Sequence, residues 1–263
     1  MGSATRASLA AATAALAGAS DVTRATGEQL LAAGRAIESS AQLLAVLSDP
    51  AVETSRKSAL IGSIFSALDD SAAALLAGMV ESRWSNSDQL LDGIEEIGIR
   101  AIARSAGPDA GIEAELFAFS RTVSSDPELE LAVGSKLGEP AGRVALVDAL
   151  LAGKADPATV AIVRHLVQSP RGRRIGELLS HAADIVADAD GSVVATVTSA
   201  TEPTPAQLER LQATLAAQYG RSPRINLIID PDLVGGLRVQ LGGEVIDGSV
   251  ATRLADLRLR LAG

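Results

Sequence analysis

The sequence predicts a mainly α-helical protein: an N-terminal helical bundle, a second helical segment, and a small α+β domain at the C-terminal end. Three observations predict it. Hydrophobic residues make up 47 % of the chain but aromatics only 2 %. The core must therefore come from Ala, Leu, Ile and Val, and Ala and Leu carry high helix propensity. Apolar residues recur at spacings of three and four up to about residue 190, the period of one helix face. Near Asp190-Gly191 that period gives way to alternation and to β-branched residues, the mark of strands. The expected domains are residues 1–106, a helical bundle; 107–189, a second helical segment that partly repeats the first; and 190–263, the α+β domain with a hairpin.

In the helical part, Leu60, Ile61, Ile64, Phe65 and Leu68 lie on one predicted helix face. Asp49-Pro50 marks the break before it, because proline disfavours a helical residue ahead of it. A second helix runs through Leu75, Leu76, Met79 and Val80, and a third through Leu90, Ile94, Ile97 and Ala101. The connections are short, as between antiparallel neighbours of a bundle. The run from Arg56 and Leu60 to Met79, Val80 and Arg83 has an echo in Arg143 and Leu146 to Leu166, Val167 and Arg171, 86 to 88 residues later. A Pro-containing turn precedes each copy, Asp49-Pro50 and Glu139-Pro140. Duplication predicts this pattern; two unrelated amphipathic helix pairs would also produce it.

In the last part, Ser192–Thr198 reads as a strand. Thr204, Pro205 and Gln207 then open a helix as cap, first helical residue and capping-box partner. Leu208, Leu211 and Leu215 form its buried stripe, and Gly220 stops it. Arg224–Ile229 alternates as a second strand. Leu237–Leu241, Gly242-Gly243 and Glu244–Asp247 read as a hairpin with a two-residue turn, placing Val239 opposite Ile246. A closing helix is expected through Val250, Leu254, Leu257 and Leu261, capped by Ser249.

Composition excludes several chemistries. There is no cysteine, hence no disulfide, thiolate metal site or cysteine nucleophile. No stretch reaches the roughly 18 apolar residues of a membrane span, so direct membrane insertion is not expected. The net charge of −9 lies wholly in residues 1–190, with 25 acids against 16 Lys and Arg, while residues 191–263 hold seven of each. An acidic surface repels phosphate backbones, so nucleic acid is not an expected partner.

No motif demands a ligand. Gly235-Gly236 and Gly242-Gly243 lack the lysine that a phosphate loop needs, and read as turn glycines. Asp188-Ala-Asp190-Gly191 resembles part of a calcium loop, but the register puts Val186 and Val197 where oxygen ligands are required. His165 and His181 lie on different predicted helices without metal-ligand spacing, and read as surface or structural histidines. Trp84 is expected to pack at a helix end. Arg171-Gly-Arg173-Arg174 reads as a solvated basic loop at a helix start. Neither a catalytic constellation nor a cofactor or metal site is expected. An RNA-associated or regulatory helical module resting on the Arg171–Arg174 cluster is the alternative reading, and a Ser/His hydrolase a third.

The pair Leu233-Val234-Gly235-Gly236-Leu237-Arg238-Val239 and Val245-Ile246-Asp247-Gly248-Ser249-Val250, followed by Arg253-Leu254, is similar to the signature of the ATP synthase delta subunits, relatives of mitochondrial OSCP. The strand–helix–strand–hairpin–helix order and Ala200-x-x-Pro203-Thr204 fit the same family. More loosely, Leu43–Pro50, Arg56-Lys57, Leu60, Ile61 and Phe65 resemble its N-terminal helical bundle. The extra helices and the 20 Arg against 3 Lys resemble the long forms of high-GC actinobacteria.

The resemblance implies a non-catalytic stator subunit in the peripheral stalk. Its helical bundle would bind N-terminal segments of the alpha subunits. Its C-terminal domain would bind the C-terminal end of the b subunit. Such a protein couples proton flow to rotary ATP synthesis, as a peripheral member of a hetero-oligomeric complex on the cytoplasmic face of the plasma membrane. On this reading Gly235, Gly236, Asp247, Gly248 and Ser249 are structural, serving backbone geometry at the hairpin and ahead of the last helix.

Overall fold

The structure is a computed structural model and describes residues 2–134, 139–241 and 244–247. The chain divides into two compact units, Met1–Val186 and Ala187–Gly263.

The first unit is all-helical. Its elements are α1 (Ser3–Gly18), α2 (Arg24–Glu38), α3 (Ala41–Ser48), α4 (Thr54–Ile64), α5 (Asp70–Glu81), α6 (Ser87–Ala106), α7 (Ile112–Ser125), α8 (Pro127–Gly134), α9 (Pro140–Leu151), α10 (Pro157–Gln168) and α11 (Ile175–Ala189), the last three residues of which belong to the second unit. Side-chain oxygens hold many of the helix starts. Thr23, Ser40, Asp69, Asn86 and Asp156 each accept a backbone N–H of the first turn, partners that those groups otherwise lack.

The expected stripes through Leu75, Leu76, Met79 and Val80, and through Leu90, Ile94, Ile97 and Ala101, are buried. The face expected through Ile64, Phe65 and Leu68 needs correction. The helix ends at Ile64, which is 50 % exposed. Phe65 and Leu68 pack on the core from the connecting turn instead. The buried positions of this helix are Ile61 and, one turn before it, Lys57, whose Nζ donates to the Val80 carbonyl at 3.2 Å.

Helix order repeats along this unit. The series α2 to α6 is followed by α7 to α11, 86 to 88 residues on. The repetition reaches polar contacts that the sequence alone does not display. Gln29 Oε1 of α2 accepts the backbone N–H of Asp69, the cap of α5, at 2.8 Å. Glu115 Oε2 of α7 accepts the backbone N–H of Asp156, the cap of α10, at 2.9 Å. Arg143 Nε of α9 donates to the Val167 carbonyl at 2.8 Å, as Lys57 does to that of Val80.

Two apolar cores follow. One joins α1, α2, α5 and α6 around Leu30, Ile37, Leu76 and Ile97. The other joins α7, α9, α10 and α11 around Leu116, Val147, Leu166 and Leu179. Helix α6 serves both: Leu90, Ile94 and Ile97 belong to the first core, and Ile99, Ile102 and Ala103 to the second. A helix shared by two bundles must be apolar on most of its circumference, and twelve of its twenty residues are buried.

The second unit holds β1 (Ser192–Ser199), α12 (Pro205–Tyr219), β2 (Ser222–Ile229), β3 (Leu237–Leu241) and β4 (Glu244–Asp247). The sheet order is β2-β1-β3-β4. Strands β1 and β2 pair in parallel across α12, while β3 pairs antiparallel with β1 and β4. The capping box of Thr204 and Gln207 is formed, and Gly220 ends the helix at φ 67°. Leu211, Leu215 and Tyr219 of α12 cover Ala195, Val197, Val239 and Leu241 of the sheet. Val239 stands opposite Ile246, as the alternation predicts. The Gly242-Gly243 turn, Gly248, Ser249 and the expected closing helix lie outside the described residues.

Candidate functional site

The polar centre of the helical unit lies where the two bundles meet. Glu95 of α6, His165 of α10, Arg35 of α2, and Arg171 and Arg173 of the turn between α10 and α11 converge there. His165 Nδ1 lies 2.6 Å from Arg35 Nη1, and its Nε2 lies 3.3 Å from Glu95 Oε2. A guanidinium only donates, so Nδ1 is the acceptor and the ring proton sits on Nε2, which donates to Glu95. Arg173 Nη2 donates to the same carboxylate at 2.8 Å, and Arg171 bridges Glu95 at 3.4 Å and Asp92 at 2.5 Å. Ser169 Oγ donates to Glu38 Oε2 at 2.5 Å, tying the end of α10 to α2 once more.

Burial pushes the Glu95 carboxyl up. The hydrogen bonds from His165 and Arg173 and the charge of Arg171 overcome that, and hold it at about 2. Burial also pushes His165 down, aided by the charges of Arg35 and Arg171 and opposed by Glu95. The pair is therefore a carboxylate and a neutral imidazole at neutral pH. This is a fully partnered charge cluster, the only form in which a buried charge is tolerated. The cavity beside it, lined by α2, α6 and α10 residues, measures ≈ 10 Å³, room for about one water and none for a substrate.

The expectation of a solvated Arg171–Arg174 loop is therefore corrected. Arg171 and Arg173 are 13 % and 28 % exposed and face Asp92 and Glu95. Arg171 takes a positive φ of 44°, followed by Gly172 at 78°, an uncommon geometry for a non-glycine residue. His165 is structural and buried; His181 is exposed and apart from it. Trp84 packs at a helix end as expected: its Nε1 donates to the Met79 carbonyl at 2.7 Å, and its ring lies where a Cβ on Gly93 would stand. No group of acids and histidines able to hold a metal occurs among the described residues. No single described helix is long and apolar enough to cross a membrane.

In the C-terminal unit Gly235 and Gly236 take φ values of 66° and 82°, a region that L side chains rarely adopt. Asp247 of β4 pairs with Arg238 of β3 at 3.4 Å. Sequence reasoning missed Arg35, Glu95 and Asp92. The available signal was the match of arginines in the Arg171–Arg174 cluster to acids set among the apolar residues of α6.

Comparison with known proteins decides the family. The family model described as ATP synthase delta (OSCP) subunit matches residues 99–261. This chain belongs to that family. Over its whole length it is 53 % identical to the ATP synthase subunit delta of Leifsonia xyli, covering all of that protein. It is 40 % identical to that of Kineococcus radiotolerans, with 90 % of this chain and 88 % of the relative covered. It is 41 % identical to that of Beutenbergia cavernae, with 94 % and 93 % covered.

As a delta-family member the chain is a structural, non-catalytic stator subunit of the membrane-bound ATP synthase. The matched stretch begins within α6. The bundle contiguous with the family pattern is thus the second, whereas the resemblance drawn from Leu43 to Phe65 lies in the first.

Proposed function

We propose that the helical unit holds N-terminal segments of the alpha subunits, and the C-terminal unit the C-terminal end of the b subunit. The chain would then tie the catalytic head to the peripheral stalk on the cytoplasmic face of the membrane. Full-length identity to actinobacterial delta subunits carries this reading. The fold suits the task, since grooves between packed helices accept an amphipathic partner helix. An adaptor that resists torque also gains from a helical unit whose bundles share α6 and a buried ionic junction. Gly235, Gly236 and Asp247 serve the backbone of the hairpin on this reading. The alternative of an RNA-associated module loses its support, because two arginines of its cluster are engaged by Asp92 and Glu95.

Size-exclusion chromatography with the alpha/beta/gamma head of the same organism tests the proposal. Co-elution is expected with the intact head and not with a head stripped of its alpha N-terminal segments. Equal binding to both would reject the alpha contact.

A further inference from the structure

Superposing the two bundles by sequence offset shows where each could accept a helix from outside. Helix α6 is the last helix of the first bundle and stands as the first helix of the second. With an offset of 87 it matches α1. The buried α1 residues Thr5, Ser8, Ala12 and Leu16 match Asp92, Glu95, Ile99 and Ala103, which face the second bundle. Their contacts correspond too. Thr5 and Ser8 bond to Ser85 and the Arg83 carbonyl, in the turn between α5 and α6. Asp92 and Glu95 bond to Arg171 and Arg173, in the turn between α10 and α11.

The opposite faces differ in what covers them. On α6 the positions Ile94, Gly98 and Ala101 are buried. Helix α2 lies over this face, so close that a Cβ on Gly98 would stand 2.6 Å from Leu31, and one on Gly27 2.6 Å from the Gly98 carbonyl oxygen. On α1 the matching positions Ala7, Ala11 and Ala14 are exposed. On α10, His165 and Ala161 are buried, His165 against Arg35 of α2. On α5 the matching Gly78 and Ala74 are exposed, and a Cβ on Gly78 would meet nothing within 4 Å. Leu31 of α2 belongs to the apolar core of the second bundle, and Arg35 and Glu38 close the rim through His165 and Ser169.

We propose that α2 is a built-in occupant of the α6/α10 groove, so that the second bundle offers no place for a partner helix and the chain binds one such helix, not two. The bundle that matches the family pattern is then the one whose groove is filled from within. Docking falls to the first bundle, and the second acts as a rigid extension. The stoichiometry rests on the proposed alpha contact; the occupancy of the groove by α2 does not.

The chain has no cysteine, which permits a clean test on the full-length protein. Single variants Gly78→Cys and Ser169→Cys report the two grooves, and thiol labelling rates are compared. Position 169 is expected to label at least about 100-fold more slowly than position 78. Arg35→Asp, added to Ser169→Cys with helicity retained, is expected to abolish most of that protection. Equal rates at 78 and 169 overturn the proposal.

A synthetic peptide of the alpha N-terminal segment is then titrated by calorimetry. One equivalent is expected, protecting position 78 and leaving 169 unchanged. Two equivalents overturn the proposal. No binding, with 169 still protected, upholds α2 as the occupant and rejects the alpha contact instead.

Discussion

Arg35 and His165, 130 residues apart, meet at 2.6 Å between a guanidinium nitrogen and Nδ1 of the ring. The contact fixes the tautomer. With Nδ1 accepting, only Nε2 carries the proton, and it points to Glu95. One histidine thus links α2 of the first bundle, α6 shared by both, and α10 of the second. Glu95 carries more of this junction than any other group, since His165, Arg171 and Arg173 all aim at its Oε2. Glu95→Gln preserves shape but leaves Arg171 and Arg173 facing a neutral amide. A loss of about 2–3 kcal/mol is expected in urea unfolding, less than for a wholly buried pair because Arg173 is partly solvated. An unchanged midpoint would show that the cluster is energetically idle.

Acid should loosen the junction in two stages. His165 has its pKa lowered by burial, so the unfolded chain takes up a proton there before the folded one does. Its contribution is complete above its ordinary value of 6.5 and declines as pH falls below it. Glu95 is held at about 2, below its ordinary 4.5. Its contribution is complete above 4.5 and is lost as pH falls towards 2. Urea midpoints measured from pH 8 to pH 2 should fall below about pH 6.5 in the natural chain. In His165→Gln the upper stage should be missing and the lower one kept. A parallel decline in both proteins would assign the upper stage elsewhere.

Lys57 and Arg143 occupy matching places in the two copies, and each satisfies a carbonyl in the last turn of the next helix. Both are buried, at 3 % and 7 % exposure. Methionine fills similar volume without the donor and leaves that carbonyl bare. Lys57→Met is expected to cost about 1–3 kcal/mol, as for a buried acceptor left unpaired. Arg143→Met should cost a similar amount. The sites lie in separate cores, so the double variant should show the sum within about 0.5 kcal/mol. Strong non-additivity would mean that the two sites are energetically coupled through the packing between the bundles.

Local chemistry made much of the fold legible. Thr204, Pro205, Gln207 and Gly220 specify both ends of α12, and the alternation of Leu237–Leu241 against Glu244–Asp247 sets the strand register. Each of these signals lies within about twenty residues. The ionic junction could not be read in that way. Glu95 and Arg171 are 76 residues apart, and each looks solvated among its own neighbours. Helix α6 hid its double duty because two overlapping apolar stripes read as one broad one. Gln29 and Glu115 do the same work in the two copies with different residue types, so sequence similarity passes over them. Ile64 failed for a simpler reason: periodicity carries no information about where a helix stops without a capping signal.

Glycines in helices separate close packing from empty space, and two of them make opposed predictions. Gly27 sits at the α2–α6 crossing. A Cβ there would stand 2.6 Å from the Gly98 carbonyl oxygen and 2.9 Å from the Ile102 backbone nitrogen. Backbone cannot swing aside as a side chain can, so the helices must separate. Gly27→Ala is expected to destabilise by about 1–3 kcal/mol, the range for overpacking a core. Gly62 lies in α4 and is exposed, with nothing within 4 Å of its added Cβ. There alanine only removes the entropy that glycine loses on folding, and Gly62→Ala should stabilise by about 0.5–1 kcal/mol. Urea unfolding of both variants checks the pair. Stabilisation by Gly27→Ala would mean that α2 does not lie against α6 at this distance, and would undo the filled groove along with the crossing.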